Sequence, residues 1–315
     1  MSVGETLDWL LAPENPSARY LALRNLLDRP EDDPQVVAAR AAIAGAPPAR
    51  AILDAQYPAG YWIRPDRGYS PRYKATIWQL VSLADLGAPP TEGIVRACEH
   101  VMGAALRTDH GLFSAHVHSS GIWPCLNGDL VRAFHAFGLG EHPTVRAVVA
   151  ALADRVLGDG WICVRNGTML KEKGTWQPCL WGCVKVLRGL AAIPEAQRSS
   201  AVRRAIARGV AFLCSHDLSA AQAPALVDEP SHWLRFGFPT GYGSDLLEAL
   251  LALVEVGARP DQAVLRVVLE RRDETRRWRL GHALPSTWAD FGAEGAPNKW
   301  VTIRALRVAS AMRAA

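Results

Sequence analysis

Lysine is scarce in this chain. Only five of the 35 basic residues are lysine (Lys74, Lys171, Lys173, Lys185 and Lys299), and 31 acidic residues leave a net charge of +4. No basic run forms a stripe, which excludes nucleic acid as an expected partner. Six cysteines in 315 residues are too few for a disulfide framework. The longest apolar stretch, Leu246 to Ala258, is too short for a bilayer and is broken by Glu248 and Glu255. The first residues carry Glu5 and Asp8 and no basic group, so no secretory leader is expected and the chain reads as cytoplasmic. Also missing are a P-loop, a dinucleotide fingerprint, a nucleophile elbow and a His-Glu-x-x-His zinc helix.

What is present is a repeat. A loop rich in glycine and aromatics leads into an apolar helix, a Gly or Pro stop, and then a more amphipathic helix. The apolar helices begin at Tyr73, Cys125, Cys179, Ser244 and Lys299, with a degenerate first copy from Ala18. Gly87 and Gly138 lie 51 residues apart, and Cys125 and Cys179 lie 54 apart, room for two helices and two loops. Between them run helices such as 199–214, where Val202, Ile206, Val210 and Leu213 share one face and arginines the other. Inner helices apolar nearly all round and amphipathic outer ones predict an all-α, single-domain double ring over 1–315. Its first repeat, about 5–50, is degenerate and those over about 51–315 are clear. An open superhelix is the structural alternative. The aromatics of the loops (Tyr61-Trp62, Leu112-Phe113, Gly160-Trp161, His232-Trp233, Trp278) favour closure, because on an open array they would face solvent.

The loop Leu157-Gly158-Asp159-Gly160-Trp161 resembles the Gln/Asp-Gly-x-Trp element before the inner helices of squalene–hopene cyclases and protein prenyltransferase β-subunits. Over about 17–315 the architecture is similar to that α/α-toroid superfamily, including its small prenyltransferase/squalene-oxidase repeat proteins. The resemblance implies an α6/α6 toroid whose central, aromatic-lined cavity binds an isoprenoid. Two family signatures are absent. No Asp-x-Asp-Asp motif occurs, and Glu31-Asp32-Asp33 sits in a Pro-flanked turn. The Asp-x-Cys and following His of the prenyltransferase zinc site are missing as well.

The residues supply several candidates. Cys125 and Cys179 occupy the same place in two Pro-Cys-Leu-x-Gly copies, at the starts of adjacent inner helices, and Cys163 follows the loop between them. The helix dipole there would favour thiolate. Three thiolates would hold Zn²⁺ with His116, His118 or His232 as a fourth ligand; a reactive metal-free thiol and simple packing are the alternatives. Arg72, Lys74, Arg235 and Lys299 at inner-helix starts or in neighbouring loops would form a basic mouth, as a substrate anchor or as solvated charge. Trp78, Trp123, Trp181, Trp233 and Trp300 would line a cavity and face a carbocation, or else pack loop against helix. Asp245 is the favoured general acid and Asp129 the second, although dipole stabilisation at a helix start explains them as well. The expected function is an isoprenoid cyclase or prenyltransferase-like enzyme; the alternative is a non-catalytic toroid holding a lipid or peptide as a scaffold.

Overall fold

The protein is described by a computed structural model covering residues 3–116, 121–156, 160–163, 178–219 and 232–313. Among them are thirteen α-helices and a single two-stranded antiparallel pair, so the fold is all-α. Six helices form the inner set: α2 (Pro16–Asn25), α5 (Thr76–Asp85), α7 (Pro124–Ala136), α9 (Leu180–Ala191), α11 (Leu246–Glu255) and α13 (Lys299–Arg313). The others are α1 (Val3–Leu11), α3 (Pro34–Ala42), α4 (Ala49–Asp54), α6 (Glu92–Ala105), α8 (Pro143–Asp154), α10 (Ser200–Cys214) and α12 (Gln262–Glu270). Strand β1 (Leu106–Arg107) pairs with β2 (Leu112–Phe113). No helix among the described residues is long and apolar enough to cross a membrane.

Local chemistry ends the inner helices where the sequence indicates. Gly87, Gly138 and Gly257 follow α5, α7 and α11 with φ of 72°, 77° and 79°, the left-handed stop that only glycine adopts without strain. Pro194 follows α9. Thr91, Ser199 and Asp245 cap α6, α10 and α11, each accepting from a backbone N–H three residues on.

The inner helices touch in cyclic order. Helix α5 packs on α7, α7 on α9, α9 on α11, α11 on α13, and α13 on α2. The circuit returns to α5 where Ser17 Oγ donates to Leu86 O at 2.8 Å and itself accepts from Trp300 Nε1 at 2.9 Å. On the outside α6, α8, α10 and α12 pack on α5, α7, α9 and α13, while α1 and α3 pack on α2.

A repeated joint holds each loop to its hairpin. Trp62, Trp161, Trp233 and Trp278 are each at most 1% exposed, and their indole N–H groups donate to Ile52 O, Leu152 O, Leu218 O and Val268 O at 2.7–2.9 Å. The backbone of three of these loops, and of the loop that holds Phe113, is tied to the following inner helix. Trp62 N–H bonds Thr76 Oγ1, Phe113 N–H bonds Asn127 Oδ1, Trp161 N–H bonds Cys183 Sγ, and Trp278 N–H bonds Thr302 Oγ1. These aromatics are therefore buried within one repeat and would be so in an open array. The contacts of α2, not these aromatics, link α13 back to α5.

Candidate functional site

The loop 237–243, between Trp233 and α11, enters the centre of the inner helices. Thr240 N–H donates to Asp85 Oδ2 at 2.6 Å, 155 residues away in the chain. Lys185 Nζ donates to Gly241 O at 2.8 Å, and Tyr242 N–H reaches Tyr73 Oη at 3.4 Å. The Thr240 hydroxyl takes bonds from Arg188 at 3.5 Å and Arg304 at 3.4 Å.

These anchors belong to a buried ionic lattice drawn from five inner helices. Asp85 (α5) pairs with Arg132 (α7) at 2.7 Å and Arg304 (α13) at 3.0 Å. Lys185 (α9) pairs with Asp129 (α7) at 3.2 Å and Glu248 (α11) at 3.6 Å. Arg188 joins Glu248 and Glu255, each at 3.2 Å, and Arg307 completes Glu255 at 2.9 Å. Burial pushes the Asp85, Glu248 and Glu255 carboxyls up, but the cations facing them prevail and hold all three below their ordinary values. Asp129 is the exception: burial prevails over Lys185 and raises it. The centre is thus filled by charge and an inserted loop, which corrects the expectation of an apolar chamber there. Asp129 is also the sixth residue of α7, one turn beyond the helix start, where the dipole does little for it.

Above the inserted loop lie two cavities. The first, about 520 Å³, is lined by Tyr73, Trp181, Tyr242, Leu284 and Pro285 and by Arg72, Arg235, Arg304, His232, His282, Asp245 and Glu248. The second, about 570 Å³, is lined by Tyr69, Ser70, Arg72, Tyr73, His116, Trp123, Pro285 and Ser286. Arg72, Tyr73 and Pro285 are common to both. A much smaller void beneath, about 10 Å³, touches Tyr69, Trp78, Cys125, Asp129 and Tyr242.

Asp245 is the carboxylate with the most chemical potential in the first cavity. It is the N-cap of α11: Oδ1 accepts from Glu248 N at 2.8 Å and Oδ2 from Gly237 N at 2.7 Å. Burial raises its pKa to about 6 against the pull of those two bonds.

The basic residues separate. Lys74 lies over the Trp288 ring at 4.8 Å and Lys299 over Trp9 at 5.4 Å, and neither lines these two cavities. Burial lowers the Lys299 pKa. Arg235 bonds Gly281 O at 2.7 Å and Glu294 at 2.8 Å, and Arg72 stacks on Tyr242 at 4.3 Å. The tryptophans separate likewise: Trp181 lines the first cavity, Trp123 the second and Trp78 the void. Trp233 is a loop joint, and Trp300 stacks on Phe238 with ring centroids 4.9 Å apart, so both are packing residues away from the cavities.

Cys179 is hydrogen-bonded to Cys163, and Cys125 is near enough to both for their charges to be felt. Cys125 and Cys179 are neutral thiols. Burial pushes Cys125 up to about 12, and the bond to Cys163 together with burial raises Cys179 well above its ordinary value. The helix-start dipole expected to favour thiolate is outweighed by desolvation. Among the described residues no group of three or more His, Cys, Asp and Glu is placed to hold a metal ion. Zinc therefore finds no fitting donor set there. His232 stacks on His282 with centroids 4.5 Å apart in the first cavity, His116 packs edge-on to Trp123, and His118 lies outside the described residues. At pH 7.5 iodoacetamide is expected to label exposed Cys214 and to leave Cys125, Cys163 and Cys179 unmodified, read by peptide mass spectrometry. Labelling of Cys179 as fast as Cys214 would contradict the neutral, buried cluster.

Sequence reasoning missed Tyr73, Tyr242, His282 and Arg304. A usable signal was the charges three apart inside apolar helices: Asp129/Arg132, Lys185/Arg188 and Arg304/Arg307.

No family model matches the chain, and no curated protein does. Among solved structures it is similar to the type II terpene cyclase MstE from Scytonema in three forms. One variant holds geranylgeranyl dihydroxybenzoate as substrate (13% identity, TM-score 0.33), another merosterolic acid A as product (13%, 0.34), and a third is apo (14%, 0.33). Each alignment covers 99% of both chains.

Proposed function

We propose that the chain is an enzyme that cyclises an isoprenoid-type substrate or transfers a prenyl group, within an α6/α6 toroid closed through α2. The observation that carries the reading is Asp245, a half-buried carboxyl on the wall of a cavity of about 520 Å³, its pKa raised by desolvation to about 6. Trp181 and Tyr73 line the same cavity, and their rings would stabilise positive charge developing on a hydrocarbon chain. Asp245, protonated, delivers its proton to the substrate and returns to a carboxylate held by the Gly237 and Glu248 N–H groups. Those two bonds stabilise the anion, so the carboxyl suits protonation of an oxygen, such as an epoxide, better than a bare alkene.

Asp245→Asn keeps a side-chain cap on α11 while removing the acid. It is expected to lower product formation by about 10²-fold or more while changing substrate affinity less than threefold. In the wild type, activity falls as pH rises through about 6, because the acid form is the active one. Unchanged turnover in Asp245→Asn would remove the acid role. One observation favours the second reading, a non-catalytic ring holding a lipid or peptide: both Asp245 oxygens already have partners. Binding without any product across an isoprenoid series would support it.

A further inference from the structure

Resting on the isoprenoid reading above, we infer that the ligand carries one carboxylate, held by Arg72 where the two cavities meet, and not a diphosphate. Three guanidinium groups line the first cavity. Arg304 is committed to Asp85 at 3.0 Å and Arg235 to Glu294 at 2.8 Å. Arg72 has no carboxylate partner among the described residues; its guanidinium rests on the Tyr242 ring at 4.3 Å and borders both cavities.

The loop that carries it is fixed on both sides of Arg72. Trp78 Nε1 donates to Tyr69 O at 2.7 Å, Gln79 Nε2 to Tyr73 O at 2.9 Å and Trp288 Nε1 to Lys74 O at 2.9 Å. The backbone that carries this exposed side chain is therefore set before any ligand arrives.

Arg72, Tyr73 and Pro285 belong to the linings of both cavities, so this one guanidinium borders ligand space on either side and lacks one kind of partner, an anionic oxygen.

The charge count selects the acid. A diphosphate would bring two or more negative charges to one uncommitted cation, beside the carboxylates of Asp245 and Glu248. A single carboxylate matches Arg72 one to one in a bidentate pair. Trp181, Leu284 and Pro285 are left for the apolar chain.

The test is calorimetric binding of farnesoic acid, farnesol and farnesyl diphosphate to the full chain at pH 7.5. Farnesoic acid is expected to bind at least tenfold more tightly than farnesol, and farnesyl diphosphate no more tightly than the acid. Arg72→Gln is expected to erase the advantage of the acid while leaving farnesol affinity within threefold. An advantage that survives Arg72→Gln, equal affinity for acid and alcohol, or a tenfold preference for the diphosphate would each overturn the inference. No binding by any of the three would overturn it together with the isoprenoid reading. Turnover that Asp245→Asn blocks, without preference for the acid, would overturn the carboxylate alone.

Discussion

Lys185→Met is expected to cost about 3–5 kcal/mol of folding stability, the range for removing one partner of a buried charge cluster. The side chain is 1% exposed, and its ammonium faces Asp129 at 3.2 Å, Glu248 at 3.6 Å and the Gly241 carbonyl at 2.8 Å. Methionine keeps the volume and leaves all three acceptors without that cation. Glu248 retains Arg188, whereas Asp129, already raised by burial, takes up a proton. Denaturant midpoints measure the loss. Pairing the change with Asp129→Leu is expected to recover part of it, because two apolar residues then face each other with no stranded carboxylate. A loss below about 1 kcal/mol in the single variant would mean the lattice adds little to the fold.

The lattice also sets a pH window. Asp85, Glu248 and Glu255 have depressed folded-state pKa values, so their contribution is complete above the ordinary carboxylate range and is lost as pH falls through the folded values. Lys185 is raised: burial opposes its charge, but Asp129 and Glu248 prevail, and its contribution is lost only as pH rises through that raised value. Asp245 acts the other way. With its folded pKa near 6, stability drains as pH rises from the unfolded carboxylate value towards 6. Asp245, like Asp129, whose value burial also raises, weakens the fold near neutrality, while Asp85, Glu248 and Glu255 support it.

Helix order and helix ends were legible because they depend on local chemistry. Gly87, Gly138 and Gly257 stop helices through backbone freedom, and the apolar spacing of 199–214 gives an outer face, whatever lies elsewhere in the chain. The site was legible only where one residue carries its own environment, as Asp245 does at a helix start. The insertion of 237–243 was not, because Thr240 meets Asp85 across 155 residues and no local pattern encodes that meeting. The tryptophans misled for a related reason: Trp62, Trp161, Trp233 and Trp278 satisfy their indoles within their own hairpins, so their abundance reports repeat construction more than cavity lining. Likewise Cys125 and Cys179 stand at matching helix starts as their register requires, yet the bond from Cys179 to Cys163 and the burial of both, which register does not reveal, keep these two thiols protonated.

The two Pro-Cys-Leu-x-Gly copies give the other large expected effect, since identical motifs predict opposite outcomes. A Cβ at Gly128 would lie 2.4 Å from Lys185 O and 2.6 Å from Val186 N, both backbone atoms of the neighbouring helix. A Cβ at Gly189 would meet Gly128 O at 2.6 Å from the other side. Helices α7 and α9 therefore cross with backbones in contact, and rotamer changes relieve nothing. Gly128→Ala is expected to cost about 3 kcal/mol by forcing the helices apart, which also draws Asp129 away from Lys185. At Gly182, the matching position one repeat later, a Cβ would meet nothing closer than 3.5 Å, and the residue sits in the first turn of α9. Gly182→Ala should therefore be neutral or add roughly 0.5 kcal/mol through helix propensity. Thermal and denaturant unfolding of the two variants side by side decides the point. Equal losses would mean the glycines serve the repeat alike, whereas the expected split ties Gly128 to the close crossing that places Asp129 against Lys185.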